Sequence, residues 1–247
     1  MCDLPFIVWN RPRPKQLSDP YHDHTIERLR DMLAKRDNEL DSLDYRCLLG
    51  PWLPAGTYDE VVYFLPHAFR YIQNDKEDAS EMITALVGFM SIQANALEAD
   101  KLLEPSRREM THRLQRWTEA FQIRHYDETE CRSKGWGRKH YDIVIGSHLV
   151  CDMLEQIDHF SVHLDLATDF VASLVNHEGD HTRAAWHLEL ARARLESNFL
   201  NVKNGELIRL LTEYSLLRAS ANVLLPSIFE ADDVSSYWND TYRLLGL

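Results

Sequence analysis

The sequence predicts an all-α protein, antiparallel helical hairpins packed as a bundle or a short solenoid. Three observations predict it. Apolar residues recur at steps of three and four through most of the chain, as in Met110, Leu114, Trp117 and Phe121, or Ala184, Leu188, Ala191 and Leu195. Such spacing lays one stripe along a helix of 3.6 residues per turn. Nine Gly and nine Pro in 247 residues are too few to punctuate a many-turned β fold. No alternation of strand and helix patterns appears, and G-x-x-x-x-G-K-[ST], G-x-G-x-x-G and G-x-S-x-G are all absent, which excludes the loops that hold phosphates or a nucleophile at sheet ends.

Residues 1–23 read as an irregular lead-in, because Pro5, Pro12, Pro14 and Pro20 prevent a helix. Phe6 to Trp9 reads as a short strand or an apolar arm. The Tyr21-His22-Asp23-His24 run offers two imidazoles and a carboxylate, but no regular element fixes them, so they read as solvated. From His24 to about Leu43, Ile26, Leu29, Leu33 and Leu40 predict one charged amphipathic helix. The loop from Gly50 to Gly56 leads into Thr57-Tyr58-Asp59-Glu60, a capping box in which Thr57 and Glu60 satisfy each other's orphan backbone donors. The helix it opens carries Val61, Phe64, Leu65, Ala68, Phe69 and Ile72 on one face, and Pro66 predicts a kink or a restart. A long apolar helix runs from Asp78 to about Lys101, and Glu104-Pro105 opens the next, proline being suited to a first helical turn.

Residues 126–139 break the helical pattern with two acidic pairs, then Arg132, Lys134, Arg138 and Lys139 around Gly135-Trp136-Gly137. They read as a solvated connection. The chain is therefore one helical domain over 1–247, or two halves, 1–126 and 138–247, joined by the 127–137 loop. Helical spacing resumes at Leu149, Met153, Ile157 and Phe160, and again at Leu166, Phe170, Val171 and Leu174. After the stripe through Ala184, Asn204-Gly205 starts a helix through Leu207, Leu211, Tyr214 and Leu217, which Pro226 ends or kinks. Asp232-Asp233 caps a last helix with Val234, Trp238 and Leu245.

The candidate site residues are His177, Glu178 and His181, with His187 downstream. Read as H-E-x-x-H, His177 and His181 ligate zinc, His187 supplies a third ligand and Glu178 acts as the base of an all-helical metal-dependent hydrolase. That chemistry needs both histidines on one unbroken helix. Gly179 and Asp180 are instead the residues of a turn between two helices, and no Met follows His187 to build a metzincin turn. The turn is the preferred reading, with no metal and no cofactor expected. Arg107 and His112 match the R-x-x-x-x-H spacing of helical ribonucleases, but Arg108 and Glu109 after the first position are atypical.

Charge limits the partners. Thirty-nine acidic against 27 basic residues give a formal net charge of −12, which argues against a phosphate-backbone binder and is compatible with a basic protein partner. The four cysteines, Cys2, Cys47, Cys131 and Cys151, are dispersed without a C-x-x-C pair, as expected in a reducing compartment. No apolar run approaches the length of a membrane span, and the one near the N-terminus is too short for a signal h-region. A cytoplasmic location is the expectation.

Two resemblances add to this. The segment from Glu178 to Ala184, with Ala191 seven residues on and Ala172 twelve before, resembles a tetratricopeptide repeat hairpin over 168–195; no second copy follows at a period of 34. That resemblance implies an interhelix turn at Gly179-Asp180 and close helix approach at the small residues. The run from Leu53 to Ile72, with its Tyr63-Phe64-Leu65-Pro66 and Phe69-Arg70-Tyr71, resembles a stretch of the helical immunity proteins encoded beside bacterial polymorphic toxins. It implies a non-catalytic protein that binds and neutralises a cognate toxin, with no direct nucleic-acid or membrane partner. The resemblance carries over no contact residues, so the partner-binding face is unassigned.

Overall fold

Helix starts in this chain are set by polar side chains that satisfy the first unpaired amides. The computed structural model describes residues 11–19, 25–50, 55–72, 79–135, 141–161, 163–196, 199–228 and 235–247. The predicted elements at Phe6–Trp9, Tyr21–His24 and Asp232-Asp233, and the Gly-Trp-Gly tip from Trp136 on, lie outside them. The chain divides into two compact units, Met1–Arg113 with Phe160–His163, and Leu114–His159 with Leu164–Leu247.

In the first unit, Thr25 caps α1 (Ile26–Ala34) by accepting from the Arg28 amide. Asp41 and Asp44 form a reciprocal capping box at the start of α2 (Ser42–Leu49). Of the single helix expected over 24–43, α1 covers only the first part; residues 35–41 lie in neither helix and α2 begins at Ser42, because Lys35 takes an extended conformation at the end of α1. Leu29 and Met32 are its buried pair, whereas Ile26 is exposed. Thr57 and Glu60 build the predicted box before α3 (Tyr58–Val61), followed by a 3₁₀ turn at Val62–Phe64. The helix restarts as α4 (Leu65–Ile72), with Pro66 in its first turn, where a missing amide proton costs least.

The long helix expected over 78–101 is also two, α5 (Ala79–Ile92) and α6 (Ala94–Ala99), separated at Gln93. Lys101 follows at positive φ, and α7 (Leu103–Trp117) carries Pro105 in its first turn. The core forms where α2 and α4 pack on α5. Phe64, Phe69, Ile72, Met82, Ile83 and Leu86 are all buried there.

The second unit opens with an element pair that the sequence reading lacks. β1 (Ile123–Tyr126) pairs antiparallel with β2 (Tyr141–Val144), His125 facing Asp142. Between them Asp127 and Glu130 box the start of α8 (Glu128–Ser133), which buries Cys131 beneath the Tyr126 carbonyl. Four helices in sequence follow: α9 (Ser147–Phe160), then α10 (Leu164–Val175), α11 (His181–Leu195) and α12 (Gly205–Thr212), the last three packed against one another. The stretch predicted from Asn204 to Leu217 breaks at Glu213, and α13 (Tyr214–Ile228) continues past Pro226. The last helix is α14 (Ser235–Leu245). Helix α11 is the hub, packed by α10, α12, α13 and α14. The architecture is all-α apart from this one two-stranded ribbon, with fourteen α-helices among the described residues.

Candidate functional site

Because α11 is covered on so many sides, residues 184–191 are buried without interruption, and its polar members must find partners inside the fold. His187 is fully buried. Its Nε2 lies 2.9 Å from the Leu210 carbonyl and its Nδ1 2.8 Å from the Ser220 hydroxyl. A carbonyl only accepts, so Nε2 carries the proton and Nδ1 accepts from Ser220. Burial lowers the His187 pKa to about 4, against the pull of the Leu210 carbonyl, and the ring is neutral.

Glu189 is the second polar residue of that run, 2% exposed. A carboxylate buried this far needs compensation from charge and hydrogen bonds. Ser147 at the start of α9 donates to it at 2.7 Å, the Tyr237 hydroxyl of α14 donates to its other oxygen, and Arg192 one turn on donates through Nε at 2.9 Å. The Arg192 guanidinium also donates to Glu196 at 2.8 Å and lies over the Tyr237 ring, 4.9 Å from its centre. Burial pushes the Cys151 thiol well up, and the Glu189 charge adds to the shift. Cys151 is thus a protonated, unreactive packing residue, since a nucleophile must be a thiolate.

This network floors a groove of about 360 Å³ between β2, α9 and α11, within the size of pockets that take a small ligand or a side chain. One part of its wall is apolar: Ile143, Val144, Ala193 and Phe199. The other is acidic, with Asp142, Asp152, Glu155 and Glu196 around the buried Glu189. Asp152 and Glu155 are three residues apart on α9, so they share one face. Asp142 is held by His125 across the ribbon, and Glu155 accepts from the Asn201 amide. One turn further along α9, Asp158 accepts from the Lys203 and Asn204 amides at 2.6 and 2.9 Å, fixing the entry to α12. Phe199, 61% exposed, stands at the groove. Five carboxylates meet one guanidinium, and that guanidinium is already engaged by two of them. Such a field attracts cations and repels anions.

The H-E-x-x-H residues fall elsewhere. His177 follows the end of α10, and the Gly179 amide donates to its Nδ1 at 3.2 Å. Glu178 and Gly179 both take positive φ, 50° and 87°, and Asp180 caps α11 by accepting from the Thr182 and Arg183 amides. Helix α11 begins only at His181, which is exposed. The two histidines therefore do not share a helix face, and the ligand set of the hydrolase alternative is not assembled. The third histidine, His187, has both ring nitrogens committed inside the core. Among the described residues no group of three or more His, Cys, Asp or Glu is placed to hold a metal ion. Arg107, the other candidate, lies 3.0 Å from His163 Nδ1 rather than being paired with His112.

The sequence reading missed Ser147, Asp152, Glu155, Glu189, Arg192 and Phe199. One signal was available: Ala184-Ala185-Trp186-His187-Leu188-Glu189-Leu190-Ala191 is apolar almost all round, which marks a buried helix whose polar members are paired. No family model matches the chain, and neither does any curated protein or solved structure.

Proposed function

We propose that this chain is a non-catalytic protein-binding protein, an immunity protein that binds and neutralises a cognate bacterial toxin in the cytoplasm. The observation that carries the reading is the acidic groove of the second unit, whose open walls and exposed Phe199 suit a basic partner. Its floor is a closed network in which Glu189, Arg192, Ser147 and Tyr237 satisfy one another. Such a floor is preorganised and needs no rearrangement to receive a charge. The net charge of −12 favours encounter with a basic face through long-range steering. The resemblance of the Leu53–Ile72 run to immunity proteins points the same way. Among the described residues no helix is long and apolar enough to cross a membrane.

The test is co-expression. The genes flanking this one are induced singly in a bacterial host, with and without this chain. The expected result is a neighbour, most directly the one immediately upstream, that arrests growth alone and is tolerated with this chain, the two co-purifying. Association of that pair should slow at least tenfold between low salt and about 0.5 M, where exposed charges are screened within a few ångströms. If no flanking product is toxic, or toxicity persists with this chain present, the reading is wrong.

A further inference from the structure

We infer that residues 11–19 form a strap that lifts off the first unit while the unit stays folded, and that ionic strength sets how often it does. The inference goes beyond the toxin-binding reading and does not depend on it. Two seats built alike hold the strap. Arg11 donates to Asp59 and, at 2.9 Å, to Asp100, and its guanidinium lies 5.9 Å from the centre of the Tyr58 ring. The Tyr58 hydroxyl donates to the same Asp100 oxygen at 2.8 Å. Arg13 meets Asp37 at 3.2 Å and donates to the Lys35 carbonyl, with its guanidinium 6.0 Å from the centre of the Phe64 ring. The Tyr63 hydroxyl donates to the other Asp37 oxygen at 2.7 Å. Further along, Ser18 donates to Glu60 through its amide at 3.0 Å and its hydroxyl at 2.9 Å. Leu17 approaches Gly56 closely: a methyl group on Gly56 would stand 3.3 Å from the Leu17 Cδ2.

These fastenings are weak one by one. Each ion pair keeps part of its surface in water, where such pairs contribute little and salt screens them. Residues 11–19 belong to no helix or strand, and Pro12 and Pro14 bar them from a helix interior. Holding them in place is therefore opposed by backbone entropy that no hydrogen-bonded ladder offsets. The body beneath is complete without the strap. Glu60 also accepts from the Thr57 amide at 2.8 Å, so the helix cap survives, and Val61, Leu65 and Phe69 are buried in the core. A segment held at the edge by exposed pairs opens at a far lower free energy than the core. Lifting it uncovers the Tyr58 ring, Glu60 and Asp100. Tyr58 and Glu60 belong to the Leu53–Ile72 run, so the strap controls access to that surface.

The test is limited proteolysis of the full chain by trypsin, with each cut located by mass spectrometry and each rate taken against a free peptide of the same local sequence. Trypsin draws both sides of a bond into its cleft and does not cut before proline. Pro12 follows Arg11 and Pro14 follows Arg13, so Lys15-Gln16 is the cleavable bond of the strap. At about 50 mM salt, Lys15 should be cut at least tenfold more slowly than its peptide, yet at least tenfold faster than Arg108 within α7, which is reached only when that helix unfolds. Raising salt to about 0.5 M should narrow the gap to the peptide at least threefold. The Arg11→Gln, Arg13→Gln double variant should be cut about tenfold faster than wild type, lose most of the salt response and keep the wild-type urea midpoint. Cutting at the peptide's rate at low salt, cutting no faster than at Arg108, or an equal salt response in wild type and variant would each overturn the inference. A urea midpoint that falls when the arginines are removed would make the strap part of the core and overturn it equally.

Discussion

The two units handle charge in opposite ways. In the first, the interior where α2 and α4 meet α5 is apolar, and ions sit at its edge. The described residues 11–19 are held there by such pairs: Arg11 to Asp59 and Asp100, Arg13 to Asp37, and Ser18 to Glu60. The buried ions of this unit are paired side by side: Asp44 is met by the Lys35 ammonium at 2.5 Å, and Arg113 on α7 by Glu109 one turn before it. In the second unit, polar groups are drawn into the hub helix itself, with Glu189, Arg192, His187, Ser147, Ser220 and Tyr237 bonded to one another or to backbone. An apolar interior draws its stability from burial and tolerates changes of pH. A polar interior fixes one geometry and is vulnerable wherever a single partner is removed. The first unit is built to be held together, the second to hold a defined surface over a charged floor.

Four experiments would break or sharpen this contrast. The largest effect should come from the apolar side. Phe64→Ala removes a ring that is 1% exposed and should cost about 3–5 kcal/mol in urea unfolding. A loss under 1 kcal/mol would mean that the interior relaxes around the cavity and is not the tightly packed half.

The next concerns pH and belongs to the second unit. Burial holds His187 at about 4 in the folded protein, below the value of about 6.5 for an unfolded histidine. As pH falls, the unfolded chain takes up its proton first. The stabilisation is therefore complete above about pH 6.5, declines through the window, and is gone near pH 4, a total of roughly 3 kcal/mol. Urea midpoints at pH 7 and pH 4.5 should show most of that loss in the wild type and clearly less in His187→Gln, which does not titrate. Equal slopes in the two proteins would remove His187 from the account.

A smaller change is expected from Tyr237→Phe, which deletes one donor to Glu189 and leaves the ring under Arg192. A hydrogen bond to a charged group contributes about 1.5–3 kcal/mol, so thermal unfolding should drop by several degrees. No shift would indicate that Ser147 and Arg192 alone satisfy the carboxylate. The smallest effects should come from the turn: His177→Ala and His181→Ala are expected to stay within about 0.5 kcal/mol of wild type and to leave toxin neutralisation intact. Stoichiometric zinc in the purified protein, lost in both variants, would instead restore the hydrolase alternative.

What could be read from the sequence was what local chemistry encodes. The Thr57–Glu60 box, the restart at Pro66 and the Gly179-Asp180 turn all follow from the conformational demands of neighbouring residues. The burial of Phe64 and Phe69 followed from helical spacing. The breaks at Lys35, Gln93 and Glu213 carry neither Gly nor Pro, so tertiary packing decides them and the spacing runs through. Strands β1 and β2 are four residues each, too short for a period of two to register, and His125 and Asp142 disguise them as loop. The groove could not be seen at all. Its walls come from positions between 142 and 199, and Glu189 in isolation looks like one more solvent-facing charge.

Tryptophan placement offers the polar half an optical reporter. Among the described residues the tryptophans are Trp117, Trp186 and Trp238, all in the second unit. Trp186 is sealed from water, donates its indole N–H to the Ala120 carbonyl at 3.1 Å and meets Phe121 edge-on, while Phe121 stacks on Trp238. Tyr45, Tyr58, Tyr63 and Tyr71 lie in the first unit. In a variant with Trp9, Trp52 and Trp136 replaced by Phe, excitation at the red edge, where tyrosine is silent, follows the second unit alone, and far-ultraviolet dichroism follows every helix at once. Divergence of those two signals during unfolding would reveal the order in which the units melt, with no label attached.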